Sequence, residues 1–358
     1  MKIVTYVGCY TDEKKEGIHI FETDTEAGTF RPIGLVSGIE NAIYLSLNKA
    51  KTLLYAAQGM PEYGAPSQNG TVAAYTVKGD TLLPLNHKPV GVTVPCYVAL
   101  DPAERALVFA EYTNAVAGVF ELSADGRIAD TPPVTVQHAG SGPDKKRQEK
   151  AHAHCAEVTP DGKHLCVVDL GIDRVKVYDF PGRASGLKEK ASLTFASAGG
   201  AGPRHILFHP NRRLAFLLHE LNNTLSSFIY TGDAFVHVQT LTMLPPDFRE
   251  YSKASAVKLS ADGRRLFGSN RGHDSIAAYD LDPDTGKMTL LAISKLVGKS
   301  PRDFEFMPGE KFVLLGHENS NELYSYAYDA QAGTFSPAHG PYALYRPVYV
   351  KFGAARGS

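Results

Sequence analysis

Apolar and polar residues alternate along most of this chain in short runs, a period of two that predicts strands rather than helices. Seven such runs recur: "NAIYLSL" (41–47), "PCYVAL" (95–100), "HCAEV" (154–158), "PRHILF" (203–208), "SAVKL" (255–259), "PRDFEF" (301–306) and "RPVYVKF" (346–352), with successive ends 46 to 58 residues apart. After a turn such as "TPDGK" or "SADGR", each of the first six leads into a more apolar run, for example "HLCVVDLG" (164–171) or "LAFLLHEL" (214–221). A third run ending in an aromatic follows ("DRVKVYDF", "DSIAAYDL"), then a weaker and more polar fourth ("LLPLNHK", "MTLLAISK").

Four strands per repeat, with the middle of the repeat most apolar, describe sheets packed face to face around an axis. The first unit is incomplete. "IVTYVGCYT" (3–11), "GIHIFET" (17–23) and "TFRPIGLV" (29–36) read as second, third and fourth strands, and the first strand they need is "RPVYVKF" at the other end of the chain. The prediction is an all-β, seven-bladed β-propeller of four antiparallel strands per blade, whose N- and C-terminal strands share the closing blade. Residues 1–358 are then one domain, although length alone suggests two. An open β-sandwich does not explain the regular spacing.

Composition narrows the partners. A formal net charge of -1 gives no whole-molecule attraction to nucleic acid or anionic lipid, and no segment approaches the roughly 20 apolar residues of a bilayer span. Neither nucleic acid nor membrane is expected as a partner. Four cysteines without CxxC spacing read as free thiols in a reducing compartment. The apolar part of "MKIVTYVGCYTDEKKEG" is too short for a secretion signal. A cytoplasmic monomer or weak homo-oligomer is the expectation.

Candidate chemistry follows from the topology. Antiparallel neighbours bring the start of the first strand and the end of the second to the same sheet edge, and in a propeller that edge of every blade faces one end of the axis. Strand starts carry His152 and His154, Arg204 and His205, and Arg302 with Asp303. Strand ends carry Gln58, Glu111, Asp169, Glu220, Asn270 with Arg271, His317 with Glu318, and Cys9 with Tyr10. Polar residues at the ends of Leu-, Val- and Phe-rich strands need either partners or a function. The arginines in "GPRH" and "NRG" can pair with carboxylates at blade junctions, and Asp169 reads both as a turn residue and as a ligand contact. His152 and His154, two apart on a strand, point the same way and have metal-pair spacing. A metal needs further ligands, and no other His or Cys cluster has ligand spacing, so no metal or other cofactor is expected.

The stretch "GSGPDKKRQEKAHAHCAEVTPDGKHLCVVDLGIDRVKVY" (140–178), with "GPRHILFHP" (202–210), "HEL" (219–221), "DGRRLFGSNRGHDSIAAYDLD" (262–282) and "SPRDFEF" (300–306) in that order, resembles the seven-bladed propeller lactonases. That family includes cycloisomerase-type 6-phosphogluconolactonases and fungal carboxymuconate lactonizing enzymes. The resemblance implies a histidine, a glutamate and two arginines in the central cleft: His154 or His152, Glu220, Arg204 and Arg271. Ala151 and Ala256 stand where the family usually has proline and glutamate.

It further implies metal-independent hydrolysis of a small anionic sugar lactone such as 6-phosphogluconolactone. His154 or Glu220 would be the base, the two arginines would hold the oxyanion and the substrate's anion, and His152, Arg147, His205, Asp169, Arg302 and His317 would contact substrate. The insertion "DKKRQEK" (144–150) would be a flap over the cavity. A muconate-type lactonizing cycloisomerase would use the same residues in the reverse chemical sense. A non-catalytic binding propeller is the other alternative, although the chain has no tryptophan and hence none of the WD dipeptides of the common scaffolding repeat.

Overall fold

The computed structural model describes residues 1–180 and 186–356, and in it each repeat is an antiparallel sheet of its own. Six sheets follow in order: blade 1 over residues 40–89, blade 2 over 97–137, blade 3 over 153–196, blade 4 over 203–242, blade 5 over 253–295 and blade 6 over 301–343. The seventh closes the ring. Pro347–Ala355 pairs antiparallel with Lys2–Cys9, which continues into Glu16–Asp24 and Thr29–Ser37. The chain is therefore a seven-bladed propeller with four strands per blade, as the repeat predicts. In blade 3 the outermost strand is two short pieces, Lys188–Glu189 and Phe195–Ala196, both paired to Arg174–Asp179.

Burial follows the predicted gradient from the middle of each blade outwards. His164–Asp169 and Leu214–His219, the second strands of blades 3 and 4, are buried at every position, whereas the outermost strand of the closing blade, Thr29–Ser37, has no buried residue. Apolar side chains of neighbouring blades interdigitate: Val108, Val167 and Leu217, from three successive blades, belong to one cluster. Sheets sandwiched between sheets leave few free edges to aggregate.

Tyrosines block the axis. The ring centroid of Tyr44 lies 4.3 Å from that of Tyr97 and 4.0 Å from that of Tyr349, and the imidazole of His205 stands edge-on to Tyr97 at 5.5 Å. Each aromatic contact adds about 0.5–1.5 kcal/mol beyond burial, so this layer is a firm floor separating the two mouths of the ring. Among the described residues the one helical element is the short turn Pro61–Tyr63, and no helix is long and apolar enough to cross a membrane.

Most innermost strands break register near their start. In blade 3 Ala153 pairs with Asp169 and Cys155 with Val168, which leaves His154 out of the ladder. Arg204 is left out in the same way between Pro203 and His205, and Arg302 between Pro301 and Asp303. A β-bulge re-aims the side chain of its extra residue. Here the bulged residues are a histidine and two arginines, each at the start of a strand next to the axis.

Candidate active site

A cavity of about 440 Å³ opens at the mouth where the innermost strands begin. His154, Arg302 and Cys96 reach it from first strands, Arg147 from the loop before blade 3, and Lys253 from the start of blade 5. Tyr10, Tyr112, Glu220 and Arg271 come from the residue just after, or at the end of, a second strand, and Asn41, Thr93 and Thr113 add further polar lining. Its size suits a small ligand.

Glu220 is the electrostatic centre. Its Oε1 accepts from Arg147 Nη2 at 2.7 Å and its Oε2 from Arg204 Nε at 2.8 Å, while Arg271 Nη2 forms an ion pair with Oε2 at 2.8 Å. Burial opposes the charge, yet Arg271 and Arg204 outweigh it and hold the carboxyl well below the usual glutamate range. Glu220 is thus a fixed anion that orients three guanidiniums. As a base it is weak, because a carboxylate held that low has little proton affinity.

Arg271 is 4% exposed and its Nη2 also donates to Ala254 O at 2.9 Å, but its Nε is buried without a partner among the described residues. Burial lowers its pKa to about 10, so it remains charged at neutral pH. Arg204 sits deeper: Nη1 donates to Ser255 O at 2.6 Å and lies 2.9 Å from His205 Nε2, and the residue supports Glu220 without lining the cavity.

His154 lines the cavity and is kept neutral. Burial first, then the nearby Arg204, lowers its pKa well below the ordinary value. Its Nδ1 faces Cys96 Sγ at 3.8 Å, and burial raises the Cys96 pKa to about 12, so the sulfur remains a thiol. The imidazole Nε2 has no hydrogen-bond partner among the described residues and is free to act in the cavity. On the far wall Arg302 donates through Nη1 to Glu318 Oε2 at 2.9 Å and through Nη2 to the Tyr10 hydroxyl at 3.1 Å. Arg346 grips the other Glu318 oxygen at 2.6 Å, and although burial opposes it the two arginines hold the Glu318 pKa at about 2.

Several expected contacts lie elsewhere. His152 is not paired with His154 at the cavity: the bulge at His154 breaks the alternation, and His152 stacks on Tyr112 at 4.2 Å with Nδ1 bonded to Tyr112 O and Nε2 to Glu149. Asp169 is a structural acceptor for His138 Nδ1, the His152 N–H and the Gly171 N–H. His317 is fully buried against the Tyr326 hydroxyl. His205 faces the opposite mouth.

The insertion at 144–150 is docked rather than a free flap. The buried Gln148 donates to Leu170 O at 2.8 Å, and Arg147 reaches both the Tyr112 hydroxyl and Glu220. Gly171 makes room for it, since a Cβ there would stand 1.9 Å from Lys150 O. Arg147 and Arg302, expected as substrate contacts, do line the cavity; Tyr112 and Lys253, which also line it, were not singled out by the sequence.

A larger cavity, about 650 Å³, lies at the other mouth below the tyrosines and contains His205. Several of its charges pair with one another: Lys258 with Asp303 and Glu305, Lys351 with Glu305, and the Tyr97 hydroxyl donates to Glu157 at 2.7 Å. Among the described residues, the first mouth combines an uncommitted imidazole with four cations around one carboxylate. Among the described residues no group of three or more His, Cys, Asp or Glu is arranged to hold a metal ion.

Known proteins point the same way. The model of the family described as "Lactonase, 7-bladed beta-propeller" matches residues 4–352. A 6-phosphogluconolactonase of Bacillus subtilis is 35% identical over 355 residues, 98% of each chain. The solved structure of a periplasmic gluconolactonase of Pseudomonas aeruginosa superposes with a TM-score of 0.91 at 28% identity, covering 99% of this chain and 100% of that one. A Lactobacillus plantarum protein structure gives 0.88 at 34% identity, covering 98% and 99%.

Proposed function

This chain belongs to the seven-bladed β-propeller lactonase family and is a lactonase; from that premise we propose that it hydrolyses an anionic sugar lactone, 6-phosphogluconolactone or a close relative, by acid–base catalysis at His154. The observation that carries this reading is a neutral, uncommitted imidazole sharing one cavity with an arginine-clamped glutamate and the Arg271 guanidinium.

Hydrolysis adds water to the lactone carbonyl and breaks the bond from that carbon to the ring oxygen. In the proposed sequence His154 Nε2 takes a proton from the attacking water. The carbonyl oxygen becomes an oxyanion opposite the Arg271 guanidinium, a preorganised charged donor that lines the cavity. As the ring opens, His154 returns its proton to the departing oxygen, so the imidazole ends neutral, and the new carboxylic acid loses a proton to solvent. Glu220 acts as a positioning residue, since its two oxygens fix Arg271, Arg204 and Arg147 at once. Arg147 and Arg302 face the substrate's anion. Four cations in the lining against the one carboxylate of Glu220 favour an anionic substrate.

The test is an initial-rate assay of fresh 6-phosphogluconolactone beside unphosphorylated sugar lactones and muconate-type lactones, with and without a chelator. The expected result is turnover of the phosphorylated sugar lactone that survives chelation. Turnover confined to a muconate lactone, or activity abolished by chelation, contradicts the reading.

A second expectation concerns pH. A base whose folded pKa is depressed keeps its active, neutral form to lower pH than free histidine, so the acid limb of kcat/KM has its midpoint below 6.5. It is best measured with an unphosphorylated lactone, where no phosphate ionises. A midpoint above 6.5 contradicts the assignment of His154 as base.

A further inference from the structure

Three of the four cations lining the catalytic cavity are committed to carboxylates: Arg147 and Arg271 to Glu220, and Arg302 to Glu318. Lys253 is the exception. It lies directly across the ladder from Arg271, half-buried at the start of the first strand of blade 5, and its ammonium has no hydrogen bond or ion pair among the described residues. The loop before it is held close, since a Cβ on Gly272, at φ +105°, would come within 2.4 Å of Tyr251 O.

An ammonium turned toward a cluster of guanidiniums is unfavourable by itself. Burial first, and Arg271, Arg147 and Arg302 with it, lower the Lys253 pKa to about 8, while Glu220 opposes them. Among the described residues no carboxylate pairs with Lys253 to relieve this cost, and a bound anion would do so. An aldonolactone has its carboxyl tied up in the ring, so a phosphate ester is what makes it an anion. Lys253 belongs to blade 5 and His154 to blade 3, with blade 4 between them. A phosphate at Lys253 therefore leaves the carbonyl end of the ligand to reach His154. A lysine is a mobile point charge that suits a phosphate without demanding a fixed fork geometry.

We propose that Lys253, with the cavity-facing edges of Arg302 and Arg147, forms a phosphomonoester subsite that makes this lactonase prefer phosphorylated over unphosphorylated sugar lactones. The inference rests on the reading of the cavity as a lactone site and adds the group that selects among lactones.

Steady-state kinetics of wild type, Lys253→Gln and Lys253→Arg on 6-phosphogluconolactone and on glucono-δ-lactone provide the test. A hydrogen bond to a charged group is worth about 1.5–3 kcal/mol, so Lys253→Gln should lower the ratio of the two kcat/KM values roughly 10- to 100-fold, mostly through KM for the phosphorylated substrate. Lys253→Arg should restore much of it, and inorganic phosphate should inhibit the wild type more strongly than Lys253→Gln. An equal loss on both substrates, or an unchanged ratio, overturns the proposal. If the wild type hydrolyses neither lactone above the spontaneous rate, the lactone reading fails by itself. The subsite is then decided by calorimetric titration with inorganic phosphate: weaker binding by Lys253→Gln supports it, and equal binding overturns it.

Discussion

Replacing Arg271 by alanine is expected to lower kcat for the lactone roughly 10²- to 10³-fold, the usual loss when one preorganised oxyanion donor is removed, while the propeller stays folded. The fold should survive because Glu220 keeps two guanidinium partners, Arg147 and Arg204, when Arg271 is gone. The rate should fall because the Arg271 guanidinium lines the cavity as a fixed charged donor. Arg204→Ala should cost less, since Arg204 acts through Glu220 and does not line the cavity. Circular dichroism and initial rates on the same preparations check both points. Turnover of Arg271→Ala within a few-fold of wild type would remove Arg271 from the mechanism.

Glu220 should respond differently, losing stability as well as rate. Its carboxylate is 2% exposed and meets three arginines. Deleting one partner of a buried ionic cluster leaves uncompensated charge at a cost of about 3–5 kcal/mol. With Arg271 no longer held in place, a displacement of even 1 Å costs about 10²-fold in rate.

The stability loss also has a pH signature. A carboxylate with a depressed folded pKa contributes stability that is present above its unfolded value, near 4.5, and lost only as pH falls through the folded value. The gap in unfolding midpoint between wild type and Glu220→Ala should therefore be full at pH 7, begin to narrow near pH 4.5 and close only well below it. Denaturation at both pH values, set beside kcat, tests this. A variant as stable as wild type at pH 7 would contradict the role of Glu220 as the clamp.

The fold was legible because the repeat is a property of the whole chain. Spacing, burial gradient and the missing first strand of the closing blade were all present in the pattern of apolar residues, and "RPVYVKF" pairs with Lys2–Cys9 as that pattern requires. The rim of the candidate cavity was legible to within one residue. Strand topology brings "HE", "NR" and "HE" to one rim at 219–220, 270–271 and 317–318. It does not say which member of each pair faces the axis.

The register decides. His219, Asn270 and His317 are paired and buried, and Glu220 and Arg271 line the cavity while Glu318 braces Arg302 at its wall. Asp169 aligns with His219 rather than with Glu220, and Leu170 takes the following position, which explains why Asp169 is structural. His152 was misread because an unbroken strand repeats its facing every second residue, whereas the ladder skips His154. A bulge has no clear signature in one sequence. Lys253 escaped notice because it precedes the apolar run "SAVKL" that marked its strand.

The central claim is that circular closure brings a neutral imidazole into a guanidinium-lined cavity where it opens a lactone. The most direct measurement of it is kcat of His154→Ala against wild type on 6-phosphogluconolactone, with the spontaneous rate subtracted and the thermal unfolding midpoint taken on the same samples. The account predicts a fall of roughly 10²- to 10⁴-fold, the range for loss of a general base, at an unfolding midpoint close to that of wild type. A variant that turns over within threefold of wild type, or one that loses activity only because it no longer folds, would contradict it.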